Sequence, residues 1–190
     1  MLSVNSAHDA VAALTAGIGA AGDAVWADLN TGSPGLKREL DALARRAGVP
    51  FADVAIMAPV PGRGLRTPML ACAGARRRRR APHPVRRRDR GDGRRGGAAA
   101  GRKLLRSVFF KGLAGSVVEA LEAARAAGCE DWLRENIVAE LVAAGEHTVD
   151  RLVAGTYRHA ARRAAEMDAA AAMLEELDVP RRWPPRAATC

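Results

Sequence analysis

Between Ala73 and Lys103 the chain carries one large apolar side chain, Val85. Such a segment cannot bury enough surface to offset about 1–2 kcal/mol of backbone entropy per ordered residue, so it is expected to be disordered. It divides the 190 residues into two stretches, each of which must find its own core. The same segment holds the charge. Residues 76–95 contain eleven arginines and two aspartates, a net of +9, and leave 19 basic and 19 acidic residues elsewhere. The basic balance is therefore local, and the flanking regions are neutral.

A cationic run of this density suits phosphate contacts, which are strong and salt-sensitive. It lacks an aromatic for base stacking, a periodicity that would set a helix in a groove, and zinc ligands. Nucleic-acid binding or scaffolding through 76–95 is kept as the alternative reading, with an unselected, solvated segment as the simpler one. Three cysteines, Cys72, Cys129 and Cys190, fit no compact zinc motif and no paired disulfide framework, so they are expected as free thiols. No metal site is expected. The start, MLSVNSAHDAVAAL, has no basic region leading into a long apolar core, and no run nears about 18 uninterrupted apolar residues. A cytoplasmic protein without a membrane span is the expectation.

The first stretch alternates strand and helix signals. LSVN (2–5), AVWADLN (24–30) and FADVAIMAPV (51–60) are strand candidates. SAHDAVAALTAGIGAAG (6–22) opens on a cap-type Ser6 and places Ala10, Val11 and Leu14 on one helical face. SPGLKRELDALARRAG (33–48) has Ser33 as cap, Pro34 in the first turn and Gly48 as stop, with Leu36, Leu40 and Leu43 on one side. Apolar strands alternating with helices predict a parallel sheet, here of three strands. The second stretch predicts helices only: one from about residue 101 to Gly128, one over 130–145 capped near Asp131, and one from Thr148 towards Pro180. The predicted class is a partial Rossmann-like α/β sheet followed by an all-α domain.

Several polar groups fall where chemistry is expected. In an open parallel sheet, ligands lie beyond the carboxyl ends of the strands. Asn30, Thr31 and Ser33 occupy one such end, where capping explains them equally well. APVPGRGLRTP (58–68) follows the next strand, with Gly62 and Gly64 permitting tight turns and Arg63 and Arg66 suited to an anion; a plain surface loop is the alternative. GIGAAG (17–22) has the letters of a dinucleotide fingerprint but follows a helix, so it is read as a helix-to-strand loop. In the helical half Lys103, Lys111, His159 and Arg163 stand out, although a lone helical histidine or lysine is more often structural or solvated. Trp132 and Trp183 are read as packing residues.

Taken in order, three stretches resemble a known family. LSVNSAHDA is similar to the strand and turn that pass beneath the nicotinamide in 6-phosphogluconate dehydrogenase-like and 3-hydroxyisobutyrate dehydrogenase-like proteins. VWADLNTGSPGLKREL with FADVAIMAPVPGRGLRTPML resembles the next two strands and the substrate loop. RKLLRSVFFKGLAGSVVEALEAARAAGCEDWL through TYRHAARRAAEM resembles the helical domain of the branch in which that domain was long labelled as of unknown function. The resemblance implies an NAD- or NADP-dependent dehydrogenase acting on a small hydroxy acid, with relatives that dimerise through the helical domain. It places Lys103 as the acid–base group. The family's asparagine four residues on is Ser107 here, and its Ala-Pro-Val-Ser-Gly loop reads Ala58-Pro59-Val60-Pro61-Gly62. Substrate contacts are thereby assigned to Pro59, Val60, Gly62, Ser107 and His159, and cofactor contacts to Asn5, Ser6 and Asn30.

The resemblance also implies the organisation. Residues 1–71 correspond to the later part of the nucleotide-binding domain, 72–101 to a basic, frame-shifted segment, 102–180 to the helical domain and 181–190 to a tail. The glycine-rich turn is missing, which implies a truncated chain that is inactive in isolation. The 72–101 segment is built mainly from Ala, Gly, Pro and Arg, as a GC-rich gene read out of frame would give.

Overall fold

A computed structural model of the chain describes residues 1–73 and 96–180. The basic block 76–95, with the frame-shift and nucleic-acid readings that rest on it, lies outside the described residues, as does the 181–190 tail. The chain forms two compact units, Met1–Val108 and Phe109–Cys190.

The first unit holds β1 (Leu2–Ser3), α1 (Ala10–Gly17), β2 (Trp26–Asp28), α2 (Pro34–Arg46), β3 (Phe51–Ile56), β4 (Met69–Ala73) and the start of α3 (Ala98–Ala126). The strands lie in the order β1-β2-β3-β4. The first three are parallel, with Ser3 beside Asp28 and Asp28 beside Asp53. The expectation of three strands is corrected by β4, which runs antiparallel to β3 and pairs Ala55 with Leu70. Gly64–Arg66 forms a turn of 3-10 helix in the connection, and positive φ at Gly62 (76°) and Gly64 (50°) reverses the chain there. The fold class is the one the sequence implies.

α2 follows its sequence signals closely. Ser33 Oγ accepts from the Leu36 amide at 3.1 Å, Pro34 opens the helix, and Gly48 at φ 74° follows its end. Leu40 and Ala44 of α2, Ala10 and Leu14 of α1, Trp26 and Phe51 form one core, with Val11, Leu36 and Leu43 packed at its edge. Ser6 does not cap α1 directly; the helix starts at Ala10, and Ser6 Oγ accepts from the Asp9 amide and donates to the Asp9 carboxylate. GIGAAG closes α1 and makes a 3-10 turn, and a Cβ on Gly17 would stand 2.7 Å from the Trp26 ring. Gly17 serves packing, and Gly22 takes a positive φ of 52°.

A second core joins Ala55 and Cys72 to Ala99. It is reached because α3 begins earlier than expected. Gly96 and Gly97 form a turn and Ala98–Gly101 the first helical residues, within the span assigned to the basic segment. The cause is tertiary. Cβ atoms on Gly96 and Gly97 would lie 2.8 Å from the Lys37 carbonyl and 2.5 Å from the Pro34 carbonyl, so only glycines allow this approach to α2.

The second unit contains the rest of α3, α4 (Glu130–Ala143), α5 (Thr148–Arg158) and α6 (Ala160–Glu176). Cys129 occupies the cap position of α4 where Asp131 was expected, and Thr148 opens α5 with its Oγ1 accepting from the Gly145 amide. The single last helix expected from the sequence is two, separated at His159, whose φ of −122° and ψ of 30° leave the helical region. Arg125 and Arg134 both grip the Glu130 carboxylate, which holds it below its ordinary 4.5.

Candidate functional site

The loop leaving β3 and the start of α3 enclose an open cleft of about 520 Å3. Its walls are Ile56, Met57, Ala58, Pro59, Val60, Pro61, Lys103 and Arg106. Pro59 and Pro61 stiffen the loop, because each ring fixes φ. Lys103 and Arg106 are three residues apart on a helix and so share a face. The result is an apolar wall opposite two cations, which suits an anionic molecule with a short hydrocarbon body.

Lys103 is half-buried, and its Nζ donates to Thr31 Oγ1 at 2.8 Å. Thr31 lies just past the carboxyl end of β2, so the hydrogen bond ties α3 to the rim of the sheet. Beside it the ends of β1 and β2 are laced together. The Asn5 amide donates to Asn30 Oδ1 at 2.6 Å, and Asn30 Nδ2 is shared among Asn5 Oδ1, Ser3 Oγ and Asp28 Oδ1.

A charged cluster lies beneath this rim. Lys37 Nζ stands 2.5 Å from Asp28 Oδ2 and 3.6 Å from Asp53 Oδ1, and it also donates to the Asp28 carbonyl at 3.1 Å. All three side chains are 1% exposed or less. Asp53 Oδ2 accepts from the amides of Gly97, Ala99 and Ala100 at 3.0–3.1 Å, which would otherwise be orphan donors at the start of α3. Burial first and the Asp53 carboxylate second push the Cys72 thiol up.

Of the residues singled out in the sequence, the structure brings Pro59, Val60 and Lys103 into one cleft and Asn5 and Asn30 into one hydrogen-bonded rim. Asn30 is buried and its amide is committed to that rim. Ser6 is exposed beside Asp9. Gly62 and Ser107 do not line the cleft; Gly62 serves the loop reversal, and Ser107 lies farther along α3. His159 belongs to the other unit, as the exposed residue between α5 and α6. Ser33 is spent as a helix cap, so the capping explanation holds for it. Sequence reasoning passed over Arg106, Lys37, Asp28 and Asp53. A signal was present for the last three: an aspartate inside each of two apolar strands, and a lysine in line with Leu40 and Ala44. Among the described residues no group of His, Cys, Asp and Glu is placed to hold a metal ion. None of the described helices is long and apolar enough to cross a membrane.

A family model described as a domain of unknown function, DUF1932, matches residues 124–189, within the helical unit. No curated protein matches the chain. Solved structures resemble it over most of its length. A conserved protein of unknown function, MTH1747, described as structurally similar to 3-hydroxyacid dehydrogenases, is 24% identical with a TM-score of 0.52, covering 95% of this chain and 69% of its own. A conserved hypothetical protein from Sinorhizobium meliloti 1021 is 26% identical with a TM-score of 0.51, covering 98% and 63%. An imine reductase from Aspergillus terreus, in complex with NADPH4 and a dibenzazepine, is 18% identical with a TM-score of 0.66, covering 94% and 67%. The chain thus spans between 63% and 69% of the length of these proteins. At this low identity the fold resembles that of 3-hydroxyacid dehydrogenase-like oxidoreductases: a Rossmann-like sheet followed by a helical domain.

Proposed function

We propose that the chain is part of an NAD(P)-dependent oxidoreductase that moves hydride between a nicotinamide and a small substrate held in the cleft of residues 56–61. The observation that carries this reading is the position of Lys103. It lines the cleft and is hydrogen-bonded to Thr31 at the rim where a parallel sheet offers its ligand site. In the direction of alcohol oxidation Lys103 takes the hydroxyl proton as hydride leaves the carbon; in reduction it returns that proton to the new oxygen or nitrogen. The nicotinamide, when bound, would accept the hydride in oxidation and supply it in reduction. Arg106 matches the carboxylate of a hydroxy acid, and Pro59 and Val60 its hydrocarbon. Asn5 and Ser6, on the loop after β1, are the proposed cofactor contacts, with Asn30 holding Asn5 in place.

Gly62 on the loop after β3, Ser107 on α3 and His159 between α5 and α6 are retained as proposed substrate contacts. The helical unit exposes Trp132, Leu141, Val142, Val149, Leu152, Val153 and Tyr157. We assign this apolar surface to a homodimer, and the protein to the cytoplasm. Among the described residues no Gly-x-Gly-x-x-Gly turn leads from a strand into a helix, the usual source of the amides that grip a pyrophosphate. The 190-residue chain alone is therefore expected to turn nothing over. The test is a titration with NADH and NADPH monitored by nicotinamide fluorescence. The reading expects no saturation at micromolar nucleotide and weak binding above it that Asn5→Ala diminishes. A complete indifference to Asn5→Ala, with nucleotide binding elsewhere, would overturn it.

A further inference from the structure

We propose that Asp53 is the residue that positions Lys103, and that Lys37 is the buried cation through which the same cluster positions Thr31. The inference rests on the reading of Lys103 as the acid–base group. Asp53 stands in the middle of β3, and its Oδ2 gathers the amides of Gly97, Ala99 and Ala100. A carboxylate at a helix start is favoured by the unpaired N–H groups and by the helix dipole. Three bonds to one oxygen fix both the height of the first turn and its rotation about the helix axis. Lys103 follows Ala100 by less than one turn, so its direction is inherited from that cap.

Thr31, the acceptor of the Lys103 hydrogen bond, is fixed from the other side. Asp28 ends β2, three residues before Thr31; its Oδ2 meets Lys37 at 2.5 Å and its Oδ1 accepts from Asn30. Lys37 also faces Asp53 Oδ1 at 3.6 Å, an oxygen with no hydrogen-bond donor among the described residues. The donor and acceptor of the 2.8 Å Lys103–Thr31 bond are thus tied to one ammonium group. Stability alone does not call for this arrangement, since a buried ion cluster is often matched or bettered by apolar residues of similar volume. A charged cluster fixes distances and directions that apolar packing leaves looser. Gly96 and Gly97 belong to the same device, because a side chain at either would hold α3 away from α2 and from Asp53.

The experiment reads the geometry of Lys103 without cofactor or turnover. The chain has three lysines, Lys37, Lys103 and Lys111. Trace labelling with acetic anhydride across a pH series, followed by peptide mass spectrometry, gives the reactivity of Lys103 relative to exposed Lys111 on the same helix. In the unaltered chain Lys103 is expected to react a few-fold more slowly than Lys111, with its own pH profile. Asp53→Asn and Thr31→Val are each expected to bring the two profiles together. A folded Asp53→Asn chain with unchanged Lys103 reactivity and pH profile would reduce Asp53 to a structural cap and overturn the proposal. Should Asp53→Asn not fold, the unaltered chain in graded urea decides. Slow labelling of Lys103 and slow hydrogen exchange at Gly97, Ala99 and Ala100 should disappear together, and slow labelling that outlasts those three amides would overturn it. A Lys103 positioned as proposed, in a chain whose nicotinamide binding ignores Asn5→Ala, would sink only the functional reading.

Discussion

Replacing Lys37 by methionine keeps most of the side-chain volume and deletes the charge. It leaves Asp28 and Asp53 facing each other with no cation between them, in a site where all three side chains are at most 1% exposed. Removing one partner of a buried ion pair costs about 3–5 kcal/mol, because the other charge remains desolvated. For a chain of this size that corresponds to a fall of roughly 6–20 °C in midpoint temperature. Urea denaturation of Lys37→Met should show the loss as a lower midpoint with an unchanged slope. Adding Asp28→Asn to Lys37→Met should recover part of it, since one of the stranded charges is then gone. A Lys37→Met chain within about 1 kcal/mol of the original would refute the reasoning. It would mean that water or movement already satisfies the two carboxylates and that the ammonium does not hold them.

Other outcomes follow from the same geometry. Gly97→Ala, at φ 97° and with its new Cβ 2.5 Å from the Pro34 carbonyl, should cost about 1–3 kcal/mol in thermal unfolding, and a neutral result would show that α3 can begin elsewhere. Iodoacetamide near neutral pH should label exposed Cys129 and spare Cys72, whose thiol is raised by burial; equal labelling would contradict the described packing of β4. Glu130 is held below 4.5 by Arg125 first and Arg134 second. A lowered carboxylate contributes above its unfolded value and loses that contribution as pH falls through its folded value. The α3–α4 junction should therefore loosen only below about pH 4.5, seen as faster hydrogen exchange in the first turn of α4, and Glu130→Gln should abolish that dependence.

The sequence disclosed those parts of the fold that depend on local chemistry. Ser33, Pro34 and Gly48 bracket α2 because capping, ring geometry and positive φ act within a few residues. The cores of β2 and β3 were legible as apolar runs. What escaped depends on distant partners. β4 is paired with β3 across a loop whose prolines and glycines read as surface. The early start of α3 depends on Asp53, more than forty residues away in the chain, and on two glycines that look like low-complexity sequence. The break at His159 has neither proline nor glycine at the position itself. At the site, the strand-end loop and Lys103 were visible through resemblance, while Arg106 needed the helix to be placed. Lys37 was hidden by its type, since a lysine is rarely read as a fully buried residue of a helix.

The central claim is that the cleft of residues 56–61 with Lys103 and Arg106 receives a small anionic substrate. Amide and lysine resonances of the labelled chain, titrated with short 2- and 3-hydroxy acids and with neutral alcohols of the same length, test it directly. The account predicts that the acids shift Ala58, Val60, Lys103 and Arg106, that the alcohols do not, and that Lys103→Ala and Arg106→Gln each weaken the effect. Acids that leave these residues unmoved, or that shift them equally in both variants, would contradict it.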